Sequence, residues 1–167
     1  MIITRRTIQL LRKRDEETFE RVYEEYVNLV FYICYSITHD REASEDLTQD
    51  TFVKMMNSLS NYEECGKFKQ YISQIARNLS KNYVTRNKTS DVSYDDNVIS
   101  EQKDYNETSR VKTFIEENLD ETSSRIVTLK IVHNFKFKEI AELLELSLGS
   151  VQSTYYQAIK TLKKEIR

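Results

Sequence analysis

An all-α fold, arranged as two small helical domains joined by a flexible acidic linker, follows from three observations on this 167-residue chain, and the spacing and charge of its last thirty residues add a helix-turn-helix in the second domain. It has no proline and only two glycines, so it lacks the residues that build hairpin turns, and helix is its default state. Apolar residues recur at three- and four-residue steps over long stretches on both sides of its middle. Between those stretches residues 87–108 lose the periodicity, are rich in Asn, Asp, Ser and Thr, and hold 2 basic against 6 acidic side chains. That is the composition of a tether and not of a core. The expected division is residues 1–86, 87–108 and 109–167. An acidic tether is either simply solvated or mimics a nucleic-acid strand, and composition alone leaves both readings open.

Composition also excludes classes of function. No window reaches the length and apolarity of a membrane span, and the opening MIITRRTIQLLRKRDEE is too short and too interrupted by Arg for a signal peptide. A cytoplasmic protein is expected, with no membrane insertion and monomeric when free. Cys34 and Cys65 are too few and too distant for a disulfide framework, and with only His39 and His133 beside them no metal site is expected. Asp46 and Asp50 stand at i and i+4, but no His accompanies them and no Gly-rich loop offers a phosphate cradle, so neither a cofactor nor an enzyme active site is expected.

The first indexable helix starts at Phe19. Val22, Tyr23, Tyr26, Val27, Val30, Phe31 and Cys34 form its apolar stripe, with Glu20, Glu24, Glu25 and Asn28 opposite. The turn SITHDREA ends it, and SEDLTQDTFVKMMNSL predicts a second helix. There Ala43, Leu47, Thr51, Phe52, Met55 and Leu59 share one face, while the opposite arc mixes Asp46, Gln49 and Asp50 with Val53 and Met56. Either that second face docks a partner, or Val53 and Met56 extend the core stripe and the carboxylates are solvated.

The third helix, FKQYISQIARNLSKNYVTR, lies in the 26 residues from Cys65 to Ser90, which contain no carboxylate. Lys67, Lys69, Arg77, Lys81, Arg86 and Lys88 are interleaved there with Phe68, Tyr71 and Tyr83. Phe68, Tyr71, Ile72, Ile75, Ala76 and Leu79 make the expected buried stripe. Cations on the rest can hold phosphates, and Gln70, Gln74, Asn78 and Asn82 can meet bases. The alternative is a solvated basic face.

Beyond the tether, RVKTFIEENL and SSRIVTLKIVHN predict two amphipathic helices, and FKEIAELLELSLGSVQSTYYQAIKTLKKEI reads as helix, short turn and helix. Phe137, Ile140, Ala141 and Leu144 face inward in the first of that pair, and Val151, Tyr155, Ala158, Ile159, Leu162 and Ile166 in the second. The last helix turns outward Ser150, Gln152, Ser153, Thr154, Tyr156, Gln157, Lys160 and Lys164, with no acid from Leu146 through Lys164. Short polar groups followed by cations suit a helix that reads base edges in the major groove while holding the backbone.

Taken together, SEDLTQDTF, FKQYISQIARNLSKNY and FKEIAELLELSLGSVQS, in this order and with this tether, resemble the short two-domain sigma-70 family factors of the extracytoplasmic-function type. The resemblance spans roughly residues 15–86 and 109–166. It implies a transcription initiation factor that carries core RNA polymerase to promoter DNA. Asp46, Gln49, Asp50 and Phe52 correspond to the helix that binds the clamp helices of the largest polymerase subunit, with Val53 and Met56 on the same arc. The segment from Tyr62 through Asn82 corresponds to the loop and helix that open the minus-10 element, with Lys67, Phe68, Tyr71, Arg77, Asn78, Lys81 and Asn82 as candidate contacts. Ser150, Gln152, Ser153, Thr154, Tyr156, Gln157 and Lys160 would read the minus-35 element. The second domain would also meet the polymerase flap, the tether would follow the RNA exit path, and an anti-sigma factor is a possible partner.

Departures from the family pattern are specific. Gln152, Thr154 and Gln157 stand where basic residues are usual, Tyr71 where Trp is usual, Glu145 where Gly precedes the turn, and Asp120 where Pro precedes a helix; Asp120 can serve there as an N-cap. Gln152 and Gln157 suit adenine, whose N6 and N7 a Gln binds bidentately, so an A-rich minus-35 element is expected. The under-charged last helix also admits a sigma-like accessory regulator unable to initiate alone, or a helix-turn-helix repressor.

Overall fold

Thr4, Asp15, Asp40 and Asp120 each start a helix by accepting, on a side-chain oxygen, the backbone N–H three residues on. Such caps satisfy N–H groups that a helix leaves unpaired at its start. The computed structural model describes residues 2–88 and 107–165, and the chain divides into two compact units, Met1–Ser93 and Tyr94–Arg167. Every regular element among the described residues is helical.

The first unit contains α1 (Arg5–Arg12), α2 (Glu16–Thr38), α3 (Arg41–Ser58), a 3-10 turn (Leu59–Asn61) and α4 (Phe68–Lys88). The helices α2, α3 and α4 pack pairwise against one another, and α1 lies against α2 and the 3-10 turn. Val22, Val30, Met55, Ile72 and Ala76 are fully buried at the centre. Burying a side chain the size of Met55 or Ile72 stabilises by about 1.5 to 3 kcal/mol. Phe68 closes one end, edge-on to Tyr26 at 5.4 Å and to Tyr62 at 5.7 Å.

Small hydroxyls line the helix contacts. Thr48 Oγ1 donates to the Ser44 carbonyl at 2.7 Å, Thr51 Oγ1 to Leu47 at 2.7 Å and Ser80 Oγ to Ala76 at 2.8 Å, so these buried groups are satisfied within their own helices. Burial pushes the Cys34 thiol up from its usual range, against hydrogen bonds with Ser80, Thr48 and Thr51. Cys65 is exposed.

The second unit contains α5 (Glu107–Asn118), α6 (Glu121–Ile131), α7 (Phe137–Leu144) and α8 (Leu148–Glu165), in which α6 and α8 pack on each other and each touches both other helices. Ile115, Val127, Ala158 and Leu162 form a buried cluster, covered by Phe114, Leu119, Tyr155 and Ile159. The helix α7 ends at Glu145 in the left-handed conformation, with φ 57. Ser147 Oγ then accepts the Ser150 N–H at 3.1 Å and starts α8.

Several expectations are corrected. The first helix of the chain is α1, unmarked by a long apolar stripe: Ile8 and Leu11 alone bury its inner face. In α2 the buried row includes Leu29 and Ile33, whereas Val27 and Phe31 are half-buried. The helix α3 begins at Arg41, three residues before the expected start, because Asp40 caps it. Both ends of the segment 87–108 are helical, since α4 runs to Lys88 and α5 starts at Glu107; the rest of the expected acidic linker lies outside the described residues. Ile166 also lies outside them.

Candidate functional site

Three surfaces carry the residues singled out in the sequence. On α3, Asp46 stands three and four residues before Gln49 and Asp50, and these stand four and three before Val53; all four are exposed on one face, Val53 to 59%. Val53 therefore does not belong to the core stripe. Met56 is half-buried and Phe52 is 2% exposed, so Phe52 stands in the floor beside this face. Its ring packs on Tyr23 at 4.7 Å and edge-on to Phe19 at 6.3 Å. Phe19, Tyr23, Phe52, Val53, Met56 and Gln49 line an open groove of about 550 Å³ between α2 and α3. An exposed apolar side chain on an acidic helix, beside an aromatic-floored groove, is the chemistry of a protein-docking face.

The second surface is α4 and the loop before it. Lys67, Gln74, Asn78, Lys81 and Asn82 are exposed along one arc, and Gln74 Nε2 donates to Asn78 Oδ1 at 2.8 Å. Two residues named with them point elsewhere. Phe68 is 2% exposed and belongs to the core, and Arg77 is 8% exposed because it falls in the buried row between Ser73 and Ser80. Tyr71 is half-buried: its ring stacks on Tyr62 at 4.3 Å, and its hydroxyl shares a 2.7 Å hydrogen bond with Ser58 Oγ.

The loop leading into α4 is tied down by residues that the sequence did not single out for this surface. Arg12 Nε donates to the Leu59 carbonyl at 3.0 Å and its Nη2 to the Tyr62 carbonyl at 2.6 Å. Tyr62 Oη donates to Glu64 Oε2 at 2.9 Å, and the Gly66 N–H donates to Glu64 Oε1. Gly66 has φ 77, which a glycine adopts without strain. Burial, and then the bond to Glu64, push the Tyr62 phenol well up from its ordinary range. The available signal was weak: Arg12 is one of several cations near the N-terminus, and only the tertiary fold aims it at these carbonyls.

The third surface is α8. Ser150, Gln152, Ser153, Tyr156, Gln157 and Lys160 are exposed along it, Tyr156 to 64%, and Thr154 is half-buried. Val151, Ala158 and Leu162 hold the opposite arc in the core. Phe137 braces the helix from α7, edge-on to Tyr155 at 5.1 Å, with Lys130 Nζ 4.9 Å from the Phe137 ring centroid. Among the described residues no group of His, Cys, Asp and Glu side chains could hold a metal, and no helix is long and apolar enough to cross a membrane.

Comparison with known proteins agrees with this arrangement. The family models for Sigma-70 region 2 and Sigma-70, region 4 match residues 22–89 and 117–162. The chain is 26% identical to the ECF RNA polymerase sigma factor SigM of Bacillus subtilis, over 87% of this chain and 93% of that protein. It is also 26% identical to the RNA polymerase sigma factor YlaC of the same organism, over 92% and 94%. Its fold resembles the sigma factor RpoE solved with the anti-sigma factor NepR from Bartonella quintana, with a TM-score of 0.65 at 18% identity over 87% and 94% of the two chains. CnrH, solved with the cytosolic domain of CnrY, gives a TM-score of 0.57 at 17% identity over 96% and 94%. With both sigma regions matched in order on the two helical units, the chain belongs to the sigma-70 family of RNA polymerase sigma factors, of the extracytoplasmic-function type, and directs polymerase to promoters.

Proposed function

We propose that this sigma factor divides its work among the three surfaces: α3 docks core RNA polymerase, the loop before α4 and the exposed arc of α4 hold the opened minus-10 strand, and α8 reads the minus-35 element. The observation that carries this reading is the α3 face, where Asp46, Gln49, Asp50 and Val53 are exposed in one row beside an open apolar groove. A repressor would have no use for that row. The polymerase clamp would bring cations to the carboxylates and an apolar side chain to Val53 and Met56. The region from residue 1 to 86 acts as the polymerase and minus-10 module, residues 87–108 as the connecting linker, and residues 109–167 as the minus-35 module, which also meets the flap.

No bond in DNA changes in this role, so the protein works through binding energy and not as an enzyme. Strand opening costs a few kcal/mol per base, offset where the single strand is bound better than the duplex. Lys67 and Lys81 would hold phosphates, and Asn78 and Asn82 would meet an unpaired base. Regulation by an anti-sigma factor is supported by one of the fold relatives, the sigma factor RpoE, which was solved with the anti-sigma factor NepR. The deciding experiment is run-off transcription by the purified chain with bacterial core polymerase, beside pull-down of core by the wild type and by Asp50→Lys. A factor that binds core but initiates nothing would be an accessory regulator, and core binding untouched by Asp50→Lys would sink the α3 assignment.

A further inference from the structure

We infer that Arg12 and Glu64 are positioning residues that hold the loop from Leu59 to Lys67 in the shape that receives the opened strand, an inference that rests on the minus-10 reading of that loop. The loop has little core of its own. Leu59 and Tyr62 are buried, but Glu63, Cys65, Gly66 and Lys67 are exposed, and no regular element covers them. Tyr62 anchors it by packing on Phe68 and Tyr71, and polar ties fix the backbone on either side of that ring. The Arg12 guanidinium spans from the Leu59 carbonyl to the Tyr62 carbonyl and joins α1 to the start of the loop across about fifty residues of chain. One Glu64 carboxylate then takes both the Tyr62 hydroxyl and the Gly66 N–H, one on each oxygen, and closes the tip. A loop laced at both ends has already given up the conformational freedom that capture of a flexible strand would otherwise consume. Neither side chain need touch DNA for this.

The two residues share a division of labour that simpler scaffolding does not require. Arg12 is attached to α1, so α1 acts on strand opening through the loop, although it carries none of the strand contacts assigned to α4. Glu64 is the acceptor for both donors, so its effect depends on offering two acceptor oxygens and not merely on filling space.

The test uses holoenzyme on a promoter selected by the wild type from a random library, and on the same promoter with its minus-10 region pre-melted by mismatches. Glu64→Ala and Arg12→Lys should each open the duplex promoter about tenfold more slowly, as loss of a charge-assisted bond implies. Both should keep wild-type affinity for core polymerase and transcribe the pre-melted template within about twofold of wild type, since there the energy of strand capture no longer has to offset unpairing. Glu64→Gln, which keeps the shape and one acceptor oxygen, should fall between, and it carries the test if Glu64→Ala fails to fold. Unchanged opening in Glu64→Gln and Arg12→Lys would overturn the inference, as would equal impairment on both templates, which is the mark of a general structural defect. If the wild-type holoenzyme itself opens no promoter, the minus-10 reading fails, and this inference with it.

Discussion

The rings of Tyr62 and Tyr71 stack with centroids 4.3 Å apart and planes 30° from parallel, and the Tyr71 hydroxyl is held by Ser58 at 2.7 Å. This joins the end of α3, the loop and the first turn of α4 through one side chain. Tyr71→Phe keeps the stack and removes the hydroxyl, and should cost about 1 kcal/mol of stability. Ser58→Ala should cost a similar amount. Because both delete the same hydrogen bond, the double variant should lose less than the sum, by about 1 kcal/mol in urea unfolding. Strict additivity would mean that the hydroxyls do not interact.

Arg77 and Lys81 lie one turn apart on α4 and should respond oppositely. Arg77 is buried and Lys81 exposed. Arg77→Ala should lower the melting temperature clearly, by about 2 to 3 kcal/mol in stability, through lost packing and a partner left without its cation. Lys81→Ala should leave the melting temperature within a degree or so and weaken holoenzyme binding to promoter DNA, with the salt dependence reduced by about one phosphate contact. A loss of salt dependence in Arg77→Ala at unchanged stability would reverse the assignment.

These two residues also show where reading the sequence succeeds and stops. Helical periodicity placed Leu47, Thr51, Phe52, Met55 and Ile72 in the core correctly, because a stripe at three- and four-residue steps has only one way to be buried. It could not place Arg77, which sits at the edge of the buried arc, where angle alone does not separate a snorkelling cation from a packed one. Phe52 and Phe68 fit both a core and a contact reading in the sequence, and at 2% exposure each packs in the core, Phe52 beside the groove. The helix α1 was missed because eight residues with two inward side chains give too short a pattern. Its tie to the loop, through Arg12, depends on residues about fifty positions away, which no local pattern can show.

Glu145 occupies the left-handed region at φ 57, where a side chain crowds the backbone and glycine does not. The chain needs that conformation to end α7 and turn toward α8, with the Leu146 N–H donating to the Ala141 carbonyl at 3.0 Å. Glu145→Gly should therefore stabilise the second unit by about 0.5 to 1 kcal/mol, net of the freedom it adds to the unfolded chain. Glu145→Ala should not. Calorimetry of the whole chain would check this, and equal melting temperatures for the Gly and Ala variants would show that the backbone conformation carries no cost.

Gln152 and Gln157 both project from α8 into solvent, and neither can form the guanidinium pair that selects guanine. Selection of promoters from a random library by the holoenzyme should return adenines in the minus-35 element. Gln157→Arg should shift one position from A to G, with a discrimination of about 1 to 3 kcal/mol at that base pair. A G- and C-only upstream motif for the wild type would exclude this mode of readout.

Alkaline pH should weaken the first unit through Tyr26 and Tyr62. Burial, and then the Glu25 and Glu64 carboxylates, push the Tyr26 phenol up to about 12, and burial followed by the Glu64 hydrogen bond pushes Tyr62 higher still. In the unfolded chain both titrate near 10. Below that value neither state is ionised, so the stability is fully present. As pH rises from about 10 toward 12 the unfolded chain gives up these protons while the fold retains them, and ionisation draws the equilibrium toward unfolding. The urea midpoint should accordingly fall between pH values of about 9 and 11. Tyr26→Phe, which keeps the ring against Phe68 and has no proton to lose, should flatten that fall, measured against the wild type at the same two pH values. An identical pH slope in the two proteins would place the alkaline sensitivity elsewhere in the chain.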